Sequence, residues 1–373
     1  MQKIKLIFMS KKIKVIIAVG GTGGHVFPGL NLAKHLLESG FSVKLVTDKR
    51  GYKFLEDYQN INISILPSSP LIKKNLLTLL ISSINIIFGF FKSFIFLNKH
   101  RPIIIFGMGG YASFPLCIAA SVLKLKFIIY ENNSIIGKAN KYLLPFSKKI
   151  LTSFKEIEGV PKKYHQKIEL IGNIIKKEIF DYSKKNLDEI QTQKLKILIL
   201  GGSQAAKVFA ETLPDIFKKC KDKGVPLKIY QHCLPNQNTK LKVFYEKTGI
   251  DYEIFNFSKN LIEYFSKINL AITRSGSSML AELTNANIPF ISVPLPSSAD
   301  NHQLKNAIYF ERKNLAFVIE EQNLNDELMH LIEKIHKDSS ILNKIKLNQR
   351  QFSDKNVYKN INRVLKEILN EKN

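Results

Sequence analysis

A chain of 373 residues exceeds what one ordinary hydrophobic core supports, so two domains of usual size are expected. Its 45% hydrophobic content excludes a disordered polypeptide, and 56 Lys+Arg against 31 Asp+Glu leave a net charge of +25, which marks either a lysine-rich sequence bias or an anionic partner: nucleic acid, a phosphate-bearing substrate or an acidic membrane surface. Cys117, Cys220 and Cys233 are scattered and show no CxxC spacing, which excludes a disulfide framework and a cysteine zinc site.

Met1–Lys12 is basic, but its apolar part, Ile4–Met9, is short and broken by Lys5, so it does not read as an export signal. Ile13–Val19 is an apolar run ending in glycines and reads as a first buried strand. A helix follows around Leu30–Glu38, closed by Gly40, and Ser42–Thr47 is a second strand. Leu76–Phe91 carries no charge, and apolar character resumes after Lys92 as far as Leu97. The uncharged part rises about 24 Å as a helix, less than a ~30 Å hydrocarbon core, and running on through Lys92 makes up the difference. Thr78, Ser82, Asn85, Gly89 and Lys92 form one stripe along such a helix, beside a wide apolar face. Lys73, Lys74, Lys99, His100 and Arg101 flank its ends. This pattern favours a helix lying in a membrane interface, with protein on one side and lipid on the other; a buried helix and a spanning helix stay open.

Further strands are expected at Ile103–Phe106 and Phe127–Tyr130. The pattern changes near Gly172-Asn173, and a lysine-rich stretch runs to Lys194. A second series then opens with Leu195–Leu200 and continues at Leu227–Tyr230, Leu270–Thr273 and Phe290–Val293. Two successive β-α arrays imply an α/β protein of two doubly wound, Rossmann-like domains with parallel sheets. Ligands in such sheets bind beyond the carboxyl ends of the strands, so the cleft facing both domains is the expected active site. The boundaries expected are 11–176 for the first domain and 177–351 for the second, with a terminal helix in 352–373 returning to the first.

Three strands run into glycine. The first turn is Gly20-Gly21-Thr22-Gly23-Gly24-His25. Glycines let backbone approach a ligand, and amides at the following helix start favour an anion. No GK[ST] follows, so it is not a P-loop, and its spacing is not the dinucleotide fingerprint, although Asp48 near the end of the second strand keeps a dehydrogenase reading in view. His25 would project near a bound phosphate or sugar, and the ordinary pKa of a histidine, about 6.5, suits proton abstraction; a histidine there can also merely cap or pack. The second turn is Gly107-Met108-Gly109-Gly110-Tyr111 and the third Gly201-Gly202-Ser203-Gln204.

The run Gly20–Leu30, GGTGGHVFPGL, resembles the signature of the MurG family, the bacterial undecaprenyl-diphospho-muramoylpentapeptide N-acetylglucosaminyltransferases. The second and third glycine turns resemble those of the family, as do Arg274-Ser275-Gly276 with Glu282, and Gln303 with Asn306-Ala307. The resemblance extends over nearly the whole chain from Lys12. It implies a GT-B fold and inverting transfer of N-acetylglucosamine from UDP-GlcNAc to lipid I, giving lipid II for peptidoglycan, at the cytoplasmic face of the bacterial inner membrane and without a bound metal or other cofactor. By position it assigns Thr22, Gly23, Gly24, Asn133, Lys176, Ser203, Ser277, Ser278, Met279, Leu280, Ala281, Glu282 and Gln303 to UDP-GlcNAc. Gly107, Gly109, Gly110 and Tyr111 are assigned to the acceptor diphosphate and His25 to the catalytic base. Glu282 is the expected ribose partner; Arg274 serves either the leaving diphosphate or the structure.

The chain departs from the family where His-Glu-Gln-Asn becomes Tyr130-Glu131-Asn132-Asn133, and where the arginine of Gly-Asn-Pro-Val-Arg becomes Lys176. Lysine keeps the charge and loses the two-pronged fork. Three alternatives stand beside this reading. They are another UDP-sugar transferase making a glycolipid, a nucleotide-sugar epimerase on the same fold, and a basic nucleic-acid binder. The last leaves the glycine turns unexplained, so no nucleic-acid partner is expected.

Overall fold

The computed structural model describes residues 13–69, 76–186, 188–201, 205–256, 258 and 260–370. Met1–Lys12, Lys73, Lys74, Gly202, Ser203 and Gln204, each of which carried an expectation above, lie outside the described residues, as does the Thr78 side chain. The chain divides into two units. One runs to Ile175 and takes in Asn356 onward; the other is Lys176–Lys355.

In the first unit, β1 (Lys14–Ala18), β2 (Ser42–Thr47), β3 (Asn62–Ile65), β4 (Ile104–Gly107), β5 (Phe127–Glu131), β6 (Ile150–Thr152) and β7 (Ile168–Leu170) form one parallel sheet. The spatial order is β3-β2-β1-β4-β5-β6-β7. β4 and β5 are buried throughout and β1 nearly so, which is why they read as unbroken apolar runs and not as alternating ones. Strand order reverses between β1 and β4, where Ile16 faces Ile105, and ligands of open α/β sheets bind at such reversals. The first two glycine turns follow these two strands.

The second unit repeats the plan. β8 (Leu195–Leu200), β9 (Leu227–His232), β10 (Asp251–Phe255), β11 (Leu270–Arg274), β12 (Phe290–Val293) and β13 (Phe317–Val318) are parallel in the order β10-β9-β8-β11-β12-β13. Here the reversal lies between β8 and β11, and the turns after them carry Gly201 and Ser275-Gly276.

The first helix starts at Gly23, well before the expected Leu30, and holds Pro28 inside it. Proline lacks the N–H that would bond the carbonyl four residues back, and that carbonyl is Gly24. Asn132 fills the vacancy, its Nδ2 donating to Gly24 O at 2.8 Å. Gly29 in the same helix lets it sit on β1: a Cβ there would lie 2.1 Å from Val19 Cγ1. The final helix, Val357–Asn370, packs on the first unit. Tyr358 donates its hydroxyl to Ile175 O at 2.6 Å, and Asn362 Oδ1 lies 2.9 Å from His35 Nε2.

Helix Leu76–His100 is unbroken, and its Leu80–His100 part is long and apolar enough, by length and composition, to cross a membrane. The expected polar stripe divides. Ser82 and Gly89 are buried with Ser93 and Leu97, while Asn85 and Lys92 are exposed. A Cβ on Gly89 would meet Pro67 O at 2.5 Å and Pro115 Cβ at 3.5 Å, so a small residue is needed there, while Leu97, Phe90, Phe94 and Phe96 pack against the core beside it. The exposed side is apolar: Leu80, Ile81, Ile84, Ile87, Phe88, Phe91 and Ile95, with Ile95 66% exposed.

Gly29→Ala forces a methyl into Val19 and should destabilise the fold by about 1–3 kcal/mol, as overpacked cores do. The double variant with Val19→Ala should cost less than the sum of the single changes in thermal unfolding.

Candidate active site

The first unit gathers its polar groups around the reversal point. Gly20 and Gly21 leave β1 with φ of +154° and +83°, and a Cβ on Gly20 would lie 2.4 Å from Ala112 Cβ in the helix after the second turn. The two loops therefore touch backbone to side chain. Thr22 occupies the helix N-cap without a side-chain cap bond; Thr22 and Gly24 are exposed, Gly23 and His25 half-buried.

His25 Nδ1 lies 3.0 Å from Met108 O. A carbonyl only accepts, so Nδ1 carries the proton and the neutral ring has its lone pair on Nε2. The imidazole lies against Gly109 and Gly110, whose φ values are +88° and +71°; a Cβ on either would come within 3.1 Å of a ring atom. Gly107 differs from these two. It ends β4, is buried, and a Cβ there would meet Cys117 Sγ at 2.7 Å, so packing under the sheet explains it.

Tyr111 follows, and its hydroxyl donates to Asp48 Oδ2 at 2.9 Å. Asp48 is buried, and its Oδ1 accepts from Gly51 N at 2.9 Å and Gly21 N at 3.3 Å. One carboxylate thus joins the end of β2 to both glycine turns. Composition and spacing gave it only a passing dehydrogenase role; what singles it out is that it directly follows a buried strand.

Asn133 is held by Glu131, whose Oε1 accepts from the Asn133 N–H at 3.1 Å and from its Nδ2 at 3.0 Å. Glu131 Oε2 accepts from Gly137 N at 2.8 Å and Asn140 Nδ2 at 3.0 Å, so this buried carboxylate is met by four N–H groups. Tyr130 points into the core. Its hydroxyl lies 2.7 Å from Ser153 Oγ and accepts from Ile174 N at 3.2 Å. It therefore braces the β5 end from below.

In the second unit, Arg274 resolves to structure. It is buried, lies 4.7 Å from the centre of the Phe209 ring, donates to Pro294 O at 3.2 Å and pairs with Glu321. Ser275 N and Leu295 N both donate to Gln303 Oε1, at 3.2 and 3.1 Å, and Asn306 Nδ2 donates to Ser275 O at 3.2 Å. Gln303 is thus a clamp between the turns after β11 and β12. Helix Ser277–Asn285 opens at Gly276 without a side-chain cap bond. Of its first residues, Ser278, Met279 and Glu282 are half-buried, while Ser277, Leu280 and Ala281 face inward. Burial pushes the Glu282 carboxyl above its ordinary value; Lys176 nearby pulls it down and Glu178 adds to the rise. Lys176 is half-buried and sits at the cap of helix Lys177–Lys185. Among the described residues, no group of three or more His, Cys, Asp or Glu is placed to hold a metal ion.

Residues 15–152 match the glycosyltransferase family 28 N-terminal domain, and residues 196–363 match its C-terminal domain. A relative from Pelagibacter ubique is 35% identical over 96% of this chain and 99% of its own length. It is named UDP-N-acetylglucosamine–N-acetylmuramyl-(pentapeptide) pyrophosphoryl-undecaprenol N-acetylglucosamine transferase. One of the same name from Rickettsia felis is 33% identical over 88% of this chain and 93% of its own. The crystal structure of Acinetobacter baumannii MurG superposes with a TM-score of 0.76 at 24% identity, covering 95% of this chain and 99% of that one. The chain belongs to glycosyltransferase family 28, among the MurG-type N-acetylglucosamine transferases.

Proposed function

We propose that the enzyme transfers N-acetylglucosamine from UDP-GlcNAc to the muramoyl sugar of lipid I, forming lipid II for peptidoglycan. The observation that carries this is the end-to-end match to a transferase of that name, at 35% identity over 99% of its length. An acceptor hydroxyl attacks the anomeric carbon opposite the UDP, inverting it. His25 Nε2 takes the hydroxyl proton, and the Met108 carbonyl, already hydrogen-bonded to Nδ1–H, stabilises the imidazolium formed. Charge growing on the departing diphosphate is met by the amides at the start of helix Ser277–Asn285 and by Lys176. Glu282 accepts from the ribose hydroxyls, and Thr22, Gly23, Gly24, Asn133, Ser203, Ser277–Ala281 and Gln303 complete donor contacts, the buried members through backbone. The acceptor diphosphate belongs to the turn Gly107–Tyr111, with Gly109, Gly110 and Tyr111 in contact and Gly107 supporting them.

We place the enzyme on the cytoplasmic face of the inner membrane, held peripherally by helix Leu76–His100 on anionic lipid. Its Ser82–Leu97 side is occupied by protein, which supports a helix lying along the surface over one that leaves the domain to span.

His25→Ala should lower kcat for lipid II formation by about 100- to 10,000-fold with little change in the KM for UDP-GlcNAc. Wild-type kinetics in that variant, or turnover of a different acceptor in place of lipid I, would overturn the assignment. Glu282→Gln should bind UDP-GlcNAc more weakly yet unfold at higher temperature at neutral pH. A carboxyl whose folded pKa is raised loses stability as pH rises through that value, and the amide does not. The stability gap should therefore close as pH is lowered below the ordinary carboxylate range. Ile84→Glu with Phe91→Glu should abolish co-sedimentation with phosphatidylglycerol vesicles while leaving turnover of a short-chain soluble lipid I analogue intact; unchanged sedimentation removes the interfacial reading.

A further inference from the structure

Arg50 stands beside the acceptor end of the first unit with no part in the mechanism above. Only six of the 56 basic residues are arginine. The lysine-rich bias of the chain therefore does not account for a guanidinium at this position, and the fork geometry is a reason to keep one. Arg101, Arg274 and Arg363 each donate through guanidinium nitrogens to acceptors of the protein, at the Asn98, Val293 and Glu367 positions among others. Arg50 makes no such bond among the described residues. Its side chain is 58% exposed, its guanidinium carbon lies 4.7 Å from the centre of the Tyr111 ring, and its Nε is 3.7 Å from Asp48 Oδ2.

The turn that carries it is fixed. Asp48 caps that turn by accepting from Gly51 N at 2.9 Å. A Cβ on Gly51 would meet Thr47 Oγ1 at 2.3 Å and Gly20 Cα at 2.9 Å, so the turn is docked directly on the first glycine loop. The Tyr111 hydroxyl is held by the same Asp48 at 2.9 Å, which orients the ring on which Arg50 lies. Ring and carboxylate together engage the face of the guanidinium and its Nε, and leave the two Nη groups for a planar oxygen pair. Such a cation is ordered before its ligand arrives, which lowers the entropy lost on binding. A diphosphate suits this fork: the non-bridging oxygens of its two adjacent phosphoryl groups offer paired acceptors, and it carries more charge than a single carboxylate of a peptide.

We infer that Arg50 is the cation that binds the diphosphate of the lipid-linked acceptor, with Asp48 and the Tyr111 side chain positioning it while the Tyr111 backbone keeps its place in the diphosphate turn. This rests on the reading that the first unit takes the acceptor, and the test separates the two. In wild-type enzyme, farnesyl diphosphate should inhibit competitively against lipid I and farnesyl monophosphate should do so more weakly; absence of competition by the diphosphate would sink the underlying reading. In Arg50→Ala, the KM for lipid I and the inhibition constant of farnesyl diphosphate should both rise about tenfold, the loss of one charge-assisted pair. The KM for UDP-GlcNAc and the melting temperature should stay put. Arg50→Lys should recover only part of the loss, because a point charge lacks the fork. An unchanged inhibition constant in Arg50→Ala, or an equal rise in the KM for UDP-GlcNAc, would overturn the role while leaving the acceptor reading standing. Full recovery by lysine would show a charge effect only and remove the bidentate contact.

Discussion

The imidazole of His25 rests on the Gly109-Gly110 peptide, and the first unit is built around that contact. A methyl on either glycine would crowd the ring at 3.1 Å, and both residues hold positive φ, so a side chain at either place is strained and shifts the imidazole. With the ring seated, Met108 O fixes its tautomer. The helix that delivers His25 starts early and tolerates Pro28 because Asn132 satisfies the carbonyl that proline leaves behind. Asp48 then ties the end of β2 to both loops through Gly21, Gly51 and Tyr111. Apart from the local Asp48–Gly51 cap, each of these bonds crosses from one strand end to another, so the placement of the His25 ring depends on four separate strand termini.

The second unit achieves order differently, with side-chain amides bonding backbone. Gln303 Oε1 accepts two N–H groups from different turns, and Asn306 returns a bond to Ser275 O. Arg274 spends its charge inside, on carbonyls and Glu321. A buried guanidinium with one paired carboxylate is a poor electrostatic catalyst, because its field is already neutralised. Burial disfavours the charged Glu282 carboxylate, and Lys176 nearby offsets part of that cost, so these two side chains form the local charge balance in place of Arg274.

Central strands were legible in the sequence; edges were not. Ser42–Thr47, Leu195–Leu200 and Phe290–Val293 coincide with β2, β8 and β12, since their carboxyl halves are buried and carry the clustered branched and aromatic residues that mark a strand, even where Lys44 or Lys196 interrupts the run. β3, β6, β7, β10 and β13 escaped notice. They are short or lie toward the edges, where one face is wet and the pattern is mixed. Glycine spacing revealed where loops approach a ligand, because the absence of a Cβ is written in the residue type. It did not distinguish Gly107, which packs on Cys117, from Gly109 and Gly110, which receive a ring. Nor could it expose Asp48 and Glu131, whose partners come from distant loops: a carboxylate looks the same in sequence whether it is solvated or met by four N–H groups. The inward direction of Tyr130 was equally hidden, since strand alternation does not say which face carries the site.

Helix Leu76–His100 inverts the usual arrangement of a surface helix. Ser82, Gly89 and Ser93 are covered, whereas Ile84, Ile87, Phe88, Phe91 and Ile95 face outward, Ile84 by 63%. Small residues let the helix approach its neighbour closely, as Gly89 does at Pro67 and Pro115, so the inversion is a packing solution on one side and a liability on the other. Scattered exposed apolar residues are ordinary, but a contiguous ridge of this kind calls for cover. Fully burying each large apolar side chain is worth ~1.5–3 kcal/mol, and roughly half of each is already shielded by its neighbours. Cover of the ridge by a bilayer would then contribute on the order of 5–10 kcal/mol, near the scale of one acyl chain and therefore reversible. Lys92, Lys99 and Arg101, exposed along and beyond the ridge, add attraction of about 1 kcal/mol each near an acidic leaflet. Attachment of that magnitude would suit the proposed transfer, in which the acceptor is confined to a bilayer and the donor is dissolved in water: it would hold the first unit at the surface yet let the protein leave it.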